Sequence, residues 1–231
     1  MIYFSLLSSS CKKETKESIT QEMGLVTDVE GNVYKTVKIG DKWWMAENLK
    51  VKKYRNGVSI PQAQLDSQWK DTTDAYCIYD NNPSAPGLLY NWYVVNDTSN
   101  IAPIGWHVPT DDEWKNLEKY LGMSDAEANK VNWRGSNEAD KLKMESPNGW
   151  TRYGTIWSTN ESGFTALAGG CRIFNGVWGN PGLFSTAFWW SSTTDISGKQ
   201  AYYRYLDYKK SNVFRFYGPK TYGFSIRCVR D

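Results

Sequence analysis

Three aromatic doublets constrain this chain more than any other feature: Trp43-Trp44 in "DKWWMAEN", Trp189-Trp190 in "AFWWSST" and Tyr202-Tyr203 in "AYYRYL". Their β-branched and aromatic surroundings suit strands. Neighbouring side chains on a strand point to opposite faces. Each doublet therefore sends one ring into a core and one the other way. Either a second layer covers that other face, or the rings form a flat platform for a ligand. If a platform forms, Trp44, Trp189, Trp190, Tyr202 and Tyr203 are its candidates.

The flanking segments give the fold class. "VTDVEGNVYKTVKIGDKWWMAENLKV" alternates as strands, with turns at Glu30-Gly31-Asn32 and Gly40-Asp41. Val33, Lys35, Val37 and Ile39 fall on one face; Tyr34, Thr36 and Lys38 fall on the other. "YRNGVSIP" turns at Asn56-Gly57, and "AYCIYDNN" is a short strand. "GLLYNWYVVND" is apolar throughout, and its periodicity is compatible with strand or buried helix. "GFTALAGGCRIFNGVWG" carries a strand, a hairpin signal at Asn175-Gly176 and a return. "AFWWSST", "AYYRYLDYKKSNVFRFY" and "GFSIRCVRD" follow as further strands.

Between these β parts lies a helical middle. In "GWHVPTDDEWKNLEKYLG", Thr110 is an N-cap and Glu113 its capping-box partner. Trp114, Leu117 and Leu121 lie on one face, and Gly122 closes the helix. Ser124 with Glu127 starts a second helix, and "SNEADKLKM" makes a third. An order of strands, then two to three short helices, then strands implies an α+β fold of antiparallel sheets.

His107 is the only histidine, and it precedes Asp111, Asp112 and Glu113. A general base beside three carboxylates is one reading. A metal site needs three or four suitable ligands, and a hydrolytic triad needs a nucleophile on an elbow. The capped helix accounts for all three carboxylates: Glu113 in the box, Asp111 and Asp112 in the first turn, where the helix dipole favours each by about 0.3–1 kcal/mol. The sequence thus points to no catalytic residue, no metal and no cofactor.

With 27 basic and 25 acidic residues the charges nearly cancel. They are mixed along the chain, which excludes a nucleic-acid footprint. No run of 18 apolar residues exists to cross a membrane. Residues 1–11, "MIYFSLLSSSC", are a short apolar run and small residues ending at Cys11. They resemble the end of a Bacteroidetes-type lipoprotein signal, whose basic start lies upstream. Cys11 is then the lipidated residue and the partner is the membrane. Residues 12–22 form a polar tether, and 23–231 one domain.

An ordered set of phrases now stands out: "YKTVKIGDKWWMAENLK", "LYNWYVVND", "GWHVPTDDEW", "NESGFTALAGG", "FWWSST", "AYYRYL" and "GFSIRCVRD". From about Val26 to Asp231 the chain resembles the Fibrobacter succinogenes major paralogous domain family, found in surface lipoproteins. The resemblance implies a C-type-lectin-like fold, shared with formylglycine-generating enzymes, in which the two chain ends meet. It also implies a cell-envelope or outer-membrane location. The chain departs from the family pattern at Ala102, commonly a cysteine, and at Ala168, commonly a proline. Cys171 stands where an aromatic is commoner.

Lipidation of Cys11 leaves Cys77, Cys171 and Cys228, so one stays unpaired. Cys171 with Cys228 is the expected disulfide, both being on late strands; Cys77 with Cys228 competes. No Cys-x-x-x-Cys pair supports oxidase chemistry of the formylglycine-generating kind. "ESPNGW" misses a lectin calcium triplet by an inserted serine, and no calcium loop is present. The expected role is therefore non-enzymatic: a binding or adhesion module for a glycan or protein. An enzyme of the formylglycine-generating class, or its remnant, and a structural envelope component are the alternatives.

Overall fold

The computed structural model describes residues 21–69, 73–145, 149–151, 153–154, 158–173, 176–179 and 182–231. Cys11 and the turn residue Asn175 lie outside them. The described strands are Met23–Thr27 (β1), Val33–Ile39 (β2), Lys42–Met45 (β3), Tyr76–Cys77 (β4), Leu89–Tyr90 (β5), Trp106–His107 (β6), Asn132–Arg134 (β7), Thr186–Thr194 (β8), Gln200–Asp207 (β9), Val213–Pro219 (β10) and Val229–Arg230 (β11). The helices are Asp66–Trp69 (α1), Trp92–Asn96 (α2), Asp111–Tyr120 (α3), Asp125–Ala128 (α4) and Glu138–Leu142 (α5).

The architecture is α+β. One antiparallel sheet has the order β1-β2-β3-β11-β6, a second β7-β10-β9-β8, and a small third pairs β4 with β5. The first and last described strands thus share one sheet, with Val229 of β11 opposite both Trp44 and His107. The expected α3, α4 and α5 lie in the middle of the chain, and two further short helices precede them.

The ambiguous "GLLYNWYVVND" resolves into both candidates. Leu89–Tyr90 is a strand; then Asn91 caps α2, its side chain accepting from the Val94 amide. Asparagine is a favoured N-cap because its side-chain oxygen satisfies an orphan amide. Among the described residues of "GFTALAGGCRIFNGVWG", isolated bridges, such as Arg172 with Trp178, stand in place of a regular strand.

Two cores lie on opposite faces of the strands. Alternation sends Tyr34 and Met45 into one, and Val37, Ile39, Trp44 and Ala46 into the other. On β8, Trp190 joins the first core and Trp189 the second. Both rings are at most 1% exposed, as is Trp44. The alternation read from the doublets holds, but each face is covered by its own core. Trp44, Trp189 and Trp190 therefore form no ligand platform. The indole N–H groups of Trp189 and Trp190 are satisfied inside, donating to Asn48 Oδ1 and Tyr90 O at 2.9 Å.

Candidate functional site

α3 begins as the sequence dictates. Thr110 Oγ1 accepts from the Glu113 amide while Glu113 Oε2 accepts from the Thr110 amide, so the capping box is complete. The same carboxylate holds His107. Its Nε2 lies 2.9 Å from Glu113 Oε1, and its Nδ1 lies 2.6 Å from Asp231 Oδ1. Each ring nitrogen thus faces a carboxylate, which favours the doubly protonated ring and leaves no lone pair for a general base. His107 ties β6, the helix start and the end of β11 together.

The hydrogen bond to Glu113 raises the His107 pKa against the opposing effect of burial, with Asp231 adding to the rise. Burial alone would raise Glu113, but hydrogen bonds from His107 and Thr110 outweigh it and hold the carboxyl at about 2. The His107 contribution to stability is therefore complete below the ordinary histidine value of about 6.5 and fades as pH rises through the raised one. The Glu113 contribution is complete above about 4.3 and fades as pH falls through its lowered value. His107→Gln is expected to cost up to about 1 kcal/mol near pH 5.5, because the groups are partly exposed, and less near pH 9. Melting wild type and variant from pH 5 to pH 9 checks this; a gap that does not narrow contradicts it.

Asp111 is not the solvated first-turn charge that the helix dipole alone suggests. It is 4% exposed, and Glu118 is fully buried. The two acids share a face with Trp114 and Leu121, at i, i+7, i+3 and i+10. Facing them, the second sheet presents Arg134, Arg204 and Arg215. Arg204 bridges both acids, at 2.7 Å to Asp111 Oδ1 and 2.6 Å to Glu118 Oε1. Arg215 reaches Asp111 Oδ2 at 2.6 Å, and Arg134 reaches Glu118 Oε2 at 2.5 Å. Burial raises the Asp111 pKa, but hydrogen bonds from Arg215 and the charge of Arg204 prevail and hold it at about 2. Two carboxylates against three guanidiniums join α3 to the sheet. No polar solvent-facing site results.

The thiols of Cys77, Cys171 and Cys228 are free and buried. The expected Cys171–Cys228 disulfide is not formed, although both residues belong to the first core. Cys171 Sγ sits against Gly179, leaving no space for a Cβ there. Cys228 lies beside Met45, whose sulfur accepts its amide at 3.4 Å. Burial pushes the Cys77 and Cys171 pKa values up to about 12 and raises Cys228 as well. Thiolate is the reactive form, so none of the three suits oxidase chemistry. A Cys11→Ser variant is expected to titrate three thiols per chain in non-reducing denaturant and almost none when folded; titration of one alone restores the disulfide.

The other face of the second sheet is aromatic. Register aligns Trp133, Phe214, Tyr205 and Phe188 in one row across β7, β10, β9 and β8. Phe216, Tyr203 and Trp190 make the next row. Phe188 stacks on Tyr205 at 4.4 Å, and Trp133 lies 5.1 Å from Tyr205 and 5.2 Å from Phe214. The band starts in the first core, on which Phe188 and Tyr203 pack. It runs out to Tyr205, Phe214, Phe216 and Trp133, which are half-buried and belong to no core. Of the sequence candidates Trp190 and Tyr203 lie on this band, Trp190 at its buried end in the first core and Tyr203 partly buried against it. Tyr202 points the other way, 4.3 Å from the Arg215 guanidinium.

Among the described residues no group of three or more His, Cys, Asp or Glu side chains could hold a metal ion. No helix among them is long and apolar enough to cross a membrane.

Fold and site together define an α+β domain with an acid–arginine cluster buried on one face of its second sheet and a half-buried aromatic band on the other. The chain belongs to the family described as Fibrobacter succinogenes major domain, whose model matches residues 37–230. No curated protein and no solved structure matches it.

Proposed function

We propose that this chain is a non-enzymatic binding or adhesion module of the cell envelope, lipid-anchored through Cys11, on a C-type-lectin-like fold. The aromatic band of the second sheet carries the reading. Large rings left half-covered across four strands mark contact surfaces, because they offer much apolar area at low conformational cost. Tyrosine and tryptophan add polar edges, which suits the mixed surface of a glycan or of a protein partner. The engaged His107 and the buried thiols support a binding role over the formylglycine-generating alternative. The meeting of β1 and β11 in one sheet supports the lectin-like fold.

Two experiments test the reading. Affinity electrophoresis through gels loaded with envelope polysaccharides is expected to retard the wild type, and Trp133→Ser with Phe214→Ser to migrate freely while remaining folded. If no polysaccharide retards the wild type and no protein partner is captured on intact cells, binding is refuted. Mass spectrometry of membrane fractions is expected to find Cys11 acylated; an unmodified Cys11 on an intact N-terminus removes the anchor.

A further inference from the structure

A cleft of about 480 Å³ is lined by Glu30, Asn32, Lys50, Lys52, Asn82 and Leu88 among others, and its lining shares no residue with the aromatic band. That volume falls within the range of small-ligand sites, about 300–1,000 Å³. Its walls are fixed by their own hydrogen bonds. Asp28 gathers the β1–β2 turn, accepting from the Glu30 and Asn32 amides at 2.9 and 3.0 Å. Tyr34 donates to Asp28 at 2.6 Å and accepts from the Lys50 amide at 3.1 Å, pinning the loop that carries the lysines to that turn. Glu30 Oε2 accepts from the Lys52 amide at 2.5 Å. Opposite, Asn82 accepts from the Ser84 amide at 2.9 Å, and Leu88 donates to Leu49 O at 3.2 Å. Gly87, at φ +120°, is required there: a Cβ would lie 2.7 Å from that of Asn48.

Within this rigid frame two ammonium groups are unspent. Lys50 and Lys52 are exposed, and neither pairs with a carboxylate among the described residues. Lys50 Nζ lies 5.5 Å from the Tyr34 ring. Two cations against the one carboxylate of Glu30 leave the cleft lining net positive, which favours an anion. Asn32 Nδ2 donates to Asp28 Oδ2 at 2.9 Å, Asn82 Oδ1 accepts from Ser84 and Glu30 Oε2 from Lys52, so Asn32 Oδ1 and Glu30 Oε1 are the acceptors and Asn82 Nδ2 the donor for hydroxyls, and Leu88 gives an apolar wall.

We infer that this cleft binds a carboxylated saccharide of the uronic-acid type, with Lys50 and Lys52 on its carboxylates and Glu30, Asn32 and Asn82 on its hydroxyls. The inference deepens the binding-module reading by naming a ligand class and a site distinct from the aromatic band. The probe is trigalacturonic acid, titrated by calorimetry, with maltotriose as the neutral control. Wild type is expected to bind trigalacturonate and not maltotriose, more weakly in about 1 M salt, where the Debye length is about 3 Å. Lys50→Met with Lys52→Met is expected to weaken binding at least about tenfold, as the loss of charge-assisted hydrogen bonds requires. Trp133→Ser with Phe214→Ser is expected to bind as wild type does. No binding by wild type, equal binding of maltotriose, or binding lost with the aromatic variant and kept by the lysine variant overturns the inference. Because the band is tested separately by polysaccharide retardation, failure of the cleft and failure of the band are distinguishable.

Discussion

Asp111→Ala is expected to lower the unfolding free energy by about 3–5 kcal/mol, the cost of removing one partner from a buried ion pair. The loss exceeds the usual effect of a first-turn acid, about 0.3–1 kcal/mol, because Asp111 serves two guanidiniums at once. Its two oxygens accept from Arg204 and Arg215, and Glu118 is already shared between Arg204 and Arg134. Among the described residues Arg134 Nε and Nη1 find no hydrogen-bond partner, so the cluster shows no spare acceptor. Asp112→Ala is the control: its side chain is 81% exposed, and its loss should cost within about 0.5 kcal/mol. Urea unfolding of both variants at neutral pH measures the difference. The Asp111 carboxyl is depressed to about 2, so its contribution is complete above the ordinary value of about 3.9 and is lost as pH falls through the depressed one. The penalty of Asp111→Ala should therefore shrink in acid. Equal costs for Asp111→Ala and Asp112→Ala would return Asp111 to a simple helix-dipole role.

Arg227→Ala is expected to cost a similar amount, about 3–5 kcal/mol, for a different reason. Arg227 is fully buried, and among the described residues it forms no ion pair with a carboxylate. Its donors go to neutral acceptors: Asn48 Oδ1 at 2.9 Å, Thr165 O at 2.8 Å and Phe164 O. Its guanidinium lies 4.1 Å from the Phe164 ring and 5.6 Å from Trp189. Burial pushes its pKa down to about 9, so the cation survives at neutral pH because these carbonyls solvate it. Alanine strands the acceptors and opens a cavity. Arg227→Met refills the volume and is expected to recover only part of the loss, which separates packing from hydrogen bonding. Guanidinium chloride unfolding checks both; a cost below about 1 kcal/mol for alanine would mean that water replaces the side chain.

These residues also show what could be read from the sequence. The capped start of α3, its apolar face and its glycine stop follow from local chemistry, and all are present. The buried role of Asp111 and Glu118 was legible in principle, since both fall on the stripe of Trp114 and Leu121. Charge alone assigns such positions to solvent, and their arginine partners sit on strands up to about a hundred residues away. The aromatic band was not legible. Trp133 and Phe214 are ordinary single residues far apart in the chain, and only the β7–β10 pairing sets them side by side. The doublets are conspicuous locally, yet two covered faces need two aromatic surfaces, and Trp189 and Trp190 supply one each. The disulfide expectation failed on the same kind of information: shared core membership does not bring Cys171 and Cys228 into bonding geometry.

The half-buried band around Trp133, Tyr205 and Phe214 is the proposed contact face of the module. Site-specific photo-crosslinking on intact cells tests it most directly. A benzophenone amino acid is placed at Phe214, and in a separate variant at Ile196, an exposed position on the β8–β9 turn. A slow-migrating adduct is expected from position 214 on illumination and none from position 196. No adduct at 214, or the same adducts from both positions, contradicts it.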